Sequence, residues 1–219
     1  MTTAIDDQEL TTSGIELNAK QAKSTLLLAC GALAHEVIAI IEQNSWSHMA
    51  VKCLPAILHN HPEKITDAVR DVVEKQRDNY TYIYVLYADC GTGGQLQSSC
   101  EELGVEMLKG PHCYSFFEGN DAFTAHGDDD ITSFYVTDFL ARQFESFVVK
   151  PLGLDRHPEL KDMYFSNYEK LIYQAQVNDP KLDALARQHA DYLGLAYERR
   201  FTGYGDLEIS LKNWTKDQS

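Results

Sequence analysis

Five cysteines are spread along the chain, at Cys30, Cys53, Cys90, Cys100 and Cys113. The thiolate is the nucleophilic and metal-binding form of cysteine, so what each thiol could do depends on where it falls. Three fall just past what reads as a strand. Cys90 closes a run from Tyr80 to Asp89 whose aromatic and β-branched residues suit a pleated, buried strand. That run breaks into Gly91-Thr92-Gly93-Gly94 and then a polar helix from Gln95 to Glu102. Cys30 closes the apolar stretch Ser24–Cys30, with Gly31 immediately after it. Cys113 follows a short strand, Val105–Leu108, and the turn Lys109-Gly110-Pro111-His112. In open α/β sheets ligands bind at the carboxyl ends of strands. A helix N-terminus at that rim offers free N–H groups and a positive dipole end, both of which favour a thiolate. Cys53 lies inside an apolar run and reads as core, whereas Cys100, among Ser98, Ser99, Glu101 and Glu102, reads as inert.

Three chemistries are open to such a rim. Three thiolates and one further ligand hold Zn²⁺ or an iron–sulfur cluster. The metal set would be Cys30, Cys90, Cys113 and His112, with His59 or a substrate as the other choice for the fourth position. An open fourth position suits thiol or methyl-group chemistry. The second is nucleophilic catalysis by Cys90, with His59 or His112 as base and Asp89 as the orienting group. The third is an anion or cofactor held by Gly91, Thr92, Gly93 and Gly94. That loop matches neither the dinucleotide fingerprint nor the P-loop, which makes a nucleotide a poor occupant. A purely structural role for the thiols stands beside all three.

The elements that must position these residues alternate. Strands are expected at Ser24–Cys30, Met49–Ile57, Tyr80–Ala88, Val105–Leu108, Thr132–Val136 and Leu195–Arg200. Helices are expected over 32–43, 62–77, 95–102, 138–148 and 180–194, with a tyrosine-rich helix over 159–176. His59 falls in the Leu58–Pro62 turn. Alternation of this kind predicts a mostly parallel sheet flanked by helices, a Rossmann-like or flavodoxin-like three-layer α/β fold. The polar stretch 1–23 reads as a disordered acidic leader, and 24–219 as a single α/β domain.

Composition removes several function classes. The formal net charge is −14, which argues against nucleic acid, since phosphate binding needs clustered Lys and Arg. Gly127-Asp128-Asp129-Asp130 reads as a solvated acidic turn. No run is apolar enough to span a bilayer, and no signal peptide opens the chain, so a cytoplasmic protein is expected. An odd number of cysteines is not a disulfide framework. No CxxC pair occurs, so any metal site must gather ligands from distant positions.

Four motifs carry a family resemblance: Ala29-Cys30-Gly31, Leu58-His59-Asn60 with Pro62, Tyr87-Ala88-Asp89-Cys90-Gly91, and Gly110-Pro111-His112-Cys113. In this order they resemble a bacterial and archaeal family of unknown function, DUF1638, over nearly the whole chain after the leader. Members tend to be encoded near corrinoid-dependent methyltransferases and their reactivation proteins. The resemblance implies a role in one-carbon metabolism, including methionine synthesis, with a small-molecule methyl donor and a corrinoid reached through a partner protein. Such a protein is either a methyltransferase component or a non-catalytic accessory of a corrinoid or folate methyltransferase, and is compatible with a homo-oligomer.

Overall fold

The structure is a computed structural model that describes residues 5–19, 25–127 and 129–216. The chain divides into two compact units, one running to Cys113 and resuming at Leu207, the other spanning Tyr114–Asp206. The division falls in the first turn of a short helix, where no composition shift marks it.

The first unit begins with helix α1 (Asp7–Thr12) and strand β1 (Ile15–Leu17). Asp6 caps α1 by accepting from the Gln8 amide, and Leu10 and Thr11 are buried. The described part of the leader is therefore folded, and β1 pairs antiparallel with β3 (Met49–Leu54). The remainder of the leader, with Ser24, lies outside the described residues. Next come β2 (Thr25–Cys30), α2 (Ala34–Gln43), β3, α3 (Ile65–Gln76), β4 (Tyr82–Leu86), α4 (Gln95–Leu103) and β5 (Glu106–Met107). The sheet order is β1-β3-β2-β4-β5, parallel apart from β1.

Side chains alternate across a strand, which fixes the faces of this sheet. Leu26, Leu28, Ile83, Val85 and Tyr87 pack with Ile65, Val69 and Val73 of α3 and Leu96 and Cys100 of α4. The other face carries Tyr84, on which Trp214 stacks with ring centroids 4.4 Å apart. Cys53 also points that way, toward Glu36 of α2. Helices thus cover both faces. Cys100 is 1 % exposed within the α3/α4 core; it is a core residue and no part of a solvated helix face.

The second unit holds α5 (Cys113–Glu118), α6 (Asn120–Ala125), β6 (Ser133–Thr137), α7 (Asp138–Arg142), a π turn at Glu145–Val149, α8 (Leu160–Phe165), β7 (Lys170–Ala175), α9 (Pro180–Leu193) and β8 (Ala196–Phe201). Its sheet, β6-β7-β8, is parallel throughout. The expected helix over 159–176 is two elements: α8 stops at Phe165, and Lys-Leu-Ile-Tyr-Gln-Ala becomes the central strand. One face of that strand, Leu171, Tyr173 and Ala175, joins Val136, Phe144, Ala186 and Ala190 in an apolar core.

The opposite face of this sheet is charged. Arg200 donates through both terminal nitrogens to Asp130 at 2.7 and 3.0 Å, to Glu118 at 3.0 Å and, through Nε, to Glu198 at 2.6 Å. Lys170 reaches Asp130 at 2.8 Å and Glu198 at 3.0 Å. Tyr135 donates to Asp130, and Gln174 to Glu118. Asp130 is 6 % exposed, so the expected solvated turn is corrected at its last residue, while Asp128 lies outside the described residues. Burial raises the Asp130 pKa, but hydrogen bonds from Arg200, Lys170 and Tyr135 outweigh it and hold the carboxyl well below its ordinary range. The last helix, α10 (Gly205–Lys216), carries Trp214 back to the first unit.

Candidate functional site

The first sheet reverses its order of growth between β2 and β4. The chain passes from β2 to β3 on one side, then crosses to β4 on the other. Loops leaving such a pair of strands diverge, and the crevice at their carboxyl ends is where α/β sheets bind ligands. Cys30 ends β2, and Cys90 lies four residues beyond β4. Both thiols pack against the same α3/α4 core cluster.

Three features single out this crevice. Cys90 has φ +48°, one of two positive-φ residues other than glycine among the described residues. A left-handed backbone costs a non-glycine residue roughly 1–2 kcal/mol, and such strain gathers at functional sites. Gly91 follows at φ +83°, a conformation that glycine adopts without a Cβ clash. On the other strand, a Cβ on Gly31 would meet the Leu10 carbonyl oxygen at 2.4 Å. The α1 segment is thereby seated close against the turn that follows Cys30.

The thiols hold their protons. Burial pushes Cys30 up to about 11, against relief from the Ala32 amide and the Tyr87 hydroxyl. Burial and the neighbouring Cys30 push Cys90 to about 12, against relief from the Ala88 and Cys113 backbone. Cys53 is also raised, by burial and by Cys30. At neutral pH each is a thiol, the reverse of the depressed values that activate catalytic cysteines.

Tyr87 extends β4 by one residue. The register pairs Ala29 with Leu86, so the next residues, Cys30 and Tyr87, lie side by side. Tyr87 is 2 % exposed. Its hydroxyl is buried without a hydrogen-bond partner. It interacts with the Cys30 thiol, and with Cys53 and Cys90 electrostatically, but no contact there has full hydrogen-bond geometry.

The family described as Protein of unknown function (DUF1638) matches residues 53–211. The chain belongs to the DUF1638 family. No curated protein and no solved structure matches it. In this DUF1638 chain Cys90, Cys113, His59 and His112 lie inside the matched span, and Cys30 before it.

The remaining expected site residues fall into separate groups. Asp89 accepts from Thr92 Oγ1 at 3.0 Å, Gly93 N at 3.3 Å and Gly94 N at 2.6 Å. The Gly94 amide, with Thr92 and Gly93, pulls its pKa down against some burial. Asp89 is thus the anion that the glycine loop holds. Its oxygens are spent on that loop, as are the amides of Gly93 and Gly94, and the hydroxyl of Thr92. The loop also brings the Cys90 amide to the Pro111 carbonyl at 3.4 Å, which draws the Gly110–Cys113 turn beside Cys90. His59 and His112 are near each other, and burial followed by the His112 charge lowers the His59 pKa. Among the described residues, no group of three or more His, Cys, Asp or Glu side chains is gathered as a metal ion requires. Among them, too, no helix is long and apolar enough to cross a membrane.

Sequence reasoning gave Tyr87 no role of its own, placing it only within a strand and within the Tyr87–Gly91 motif. Its parity was legible: it shares a face with Ile83 and Val85 and ends the strand level with Cys30. The neighbouring strand, which makes that matter, was not.

Proposed function

We propose that the crevice between β2 and β4 binds a soft metal ion through the sulfurs of Cys30 and Cys90, and that the protein serves corrinoid-linked methyl transfer. The observation that carries the metal reading is the placing of two thiols, one on a strained backbone, at the point where strand order reverses. The order β3-β2-β4-β5 is the one flavodoxin-like sheets use around a bound cofactor, and we read the first unit in that way.

The donor chemistry fits. Sulfur ligands select soft ions such as Zn²⁺ or Cu⁺. Burial and mutual repulsion, which keep the empty thiols protonated, are offset once a cation supplies positive charge. The same protonation disfavours a metal-free cysteine nucleophile. Two gathered thiols support zinc with exogenous ligands better than an iron–sulfur cluster, which takes four protein ligands. Cys113 is the best placed third ligand, because its own backbone already faces the Cys90 sulfur. The chemistry that such an ion supplies is a thiol held as thiolate at neutral pH, the form that accepts a methyl group. The corrinoid link rests on the resemblance of the four motifs.

The test is metal analysis of protein purified without air, followed by the cobalt–carbon absorbance of methylcobalamin mixed with protein and a small thiol. We expect one zinc per chain, lost in Cys30→Ser and Cys90→Ser, and a loss of absorbance with the wild type alone. Metal retained by both variants overturns the assignment of the thiols. Metal uptake with methylcobalamin left intact makes the protein an accessory and overturns the catalytic half.

A further inference from the structure

A separate cavity lies near the amino end of β3, away from the rim that carries the thiols. It begins with how α2 stops. Ser45 takes a left-handed backbone, φ +56°. The Ser45 amide donates to the Glu42 carbonyl at 3.2 Å, and the Trp46 amide to the Ile41 carbonyl at 3.1 Å. This pair of bonds ends a helix by folding the chain just past it back against the last turn. Trp46 and Ile41 thus come to line one cavity.

The cavity holds about 350 Å³, in the range of small-molecule sites. Its other walls are apolar. Met49 and Val51 line it from β3, and Ile38 from α2. Leu17, the cross-strand partner of Val51 on β1, lines it too and is 40 % exposed. The apolar wall therefore stays partly open to water, and covering such surface with hydrocarbon is favourable.

The polar lining selects the rest of the occupant. Among the described residues Glu42 is the one charged side chain at the cavity. A cation is drawn to a carboxylate and to the face of an indole ring, the best of the aromatic side chains in this respect. An anion meets the reverse, in Glu42 and in a chain of net charge −14. Asn18, Ser45 and Ser47 add side-chain oxygens that accept from an N–H head.

We propose that this cavity binds a small organic cation, an amine with a hydrocarbon body, seated on Leu17, Met49 and Val51 with its charge toward Glu42 and Trp46. The site is independent of the metal reading of the crevice.

The experiment titrates hexylammonium, hexanol and hexanoate into the isotope-labelled full chain and follows the tryptophan indole N–H resonances by NMR. The chain has two tryptophans. Trp46→Phe assigns the first signal, and Trp214, stacked on Tyr84 two strands from β3, is the internal control. We expect hexylammonium to shift the Trp46 signal saturably and to bind more tightly than hexanol, with hexanoate weakest. Glu42→Gln should weaken hexylammonium about two- to fivefold, the worth of one exposed charge pair, and leave hexanol unchanged. Leu17→Gln, at a position that already meets water, should weaken all three. Absence of a saturable shift, or equal shifts of both indoles, overturns the site. Hexanoate binding as tightly as hexylammonium overturns the cationic occupant. An unchanged preference in Glu42→Gln overturns the role of Glu42, and unchanged affinities in Leu17→Gln overturn the seating of hydrocarbon on that wall.

Discussion

The two sheets of this chain, one parallel apart from β1 and one parallel throughout, put their polar groups in opposite places. The five-stranded sheet is apolar on the α3/α4 face and keeps its polar chemistry at the carboxyl ends of its strands. The three-stranded sheet carries a network of Asp130, Arg200, Lys170, Glu118 and Glu198 across one face. Every charge in that network is matched, and breaking a buried pair strands its partner. At the first sheet's rim the thiols repel one another's ionisation, and the buried Tyr87 hydroxyl has only the Cys30 thiol beside it. The network in the second unit is complete as it stands and reads as structure. The rim of the first keeps its thiols protonated and its hydroxyl poorly satisfied, and is the part we propose for binding.

The largest effect that would break this contrast lies in the second unit. Arg200→Met should cost about 3 kcal/mol in denaturant unfolding, the lower end of the range for a buried pair, because Arg200 keeps some solvent. Zinc uptake should not change. A loss below about 1 kcal/mol would make the network ornamental.

Core thiols come next. Cys100→Ser should cost about 1–3 kcal/mol, because it buries a hydroxyl among Leu96, Leu103 and Val69. Cys53→Ala should cost on the order of 1 kcal/mol. Neither should alter metal content, which plasma mass spectrometry would report.

Cys90→Ser should cost under about 1 kcal/mol yet abolish zinc binding. Its strand is held by Ile83, Val85 and Tyr87, and each fully buried large apolar side chain contributes about 1.5–3 kcal/mol. Circular dichroism and metal analysis on one sample separate the two effects.

The smallest effects should sharpen the contrast through pH. Cys30 and Cys100 are held near 11, above their ordinary 9.0. Above pH 9 the unfolded chain releases those protons while the native chain keeps them, so the stability of the metal-free protein falls as pH rises. Asp130 runs the other way. Its folded pKa lies well below 3.8, so the stability it confers is full above that value and is lost as pH falls beneath it. Melting curves between pH 3 and pH 10.5 should therefore show an alkaline loss reduced in Cys100→Ala and an acid loss reduced in Asp130→Asn. The same pH dependence in wild type and both variants would refute this assignment.

Much of the first unit was legible in the sequence. The aromatic and β-branched run before Asp89, the apolar stripe of α3 and, in the second unit, the stop at Gly194 are local signals. Local signals decide elements when burial agrees with them. They failed at β7, where Lys-Leu-Ile-Tyr-Gln-Ala follows a genuine helix and shows no turn residue of its own; only its place between β6 and β8 makes it a strand. They failed at Asp130, whose neighbours in sequence are acidic and exposed, while its partners Lys170 and Arg200 lie 40 and 70 residues away. The folded part of the leader was missed for a like reason, since β1 exists only by pairing with β3.

The sequence by itself determined that Cys30 and Cys90 sit at strand ends, because strand composition and the glycines after them are properties of neighbouring residues. Only the tertiary structure decided that those two ends are adjacent and that the buried Tyr87 lies beside Cys30. Strand order is set by which helices cover which face, a choice made by packing across the whole unit and written in no short stretch of the chain.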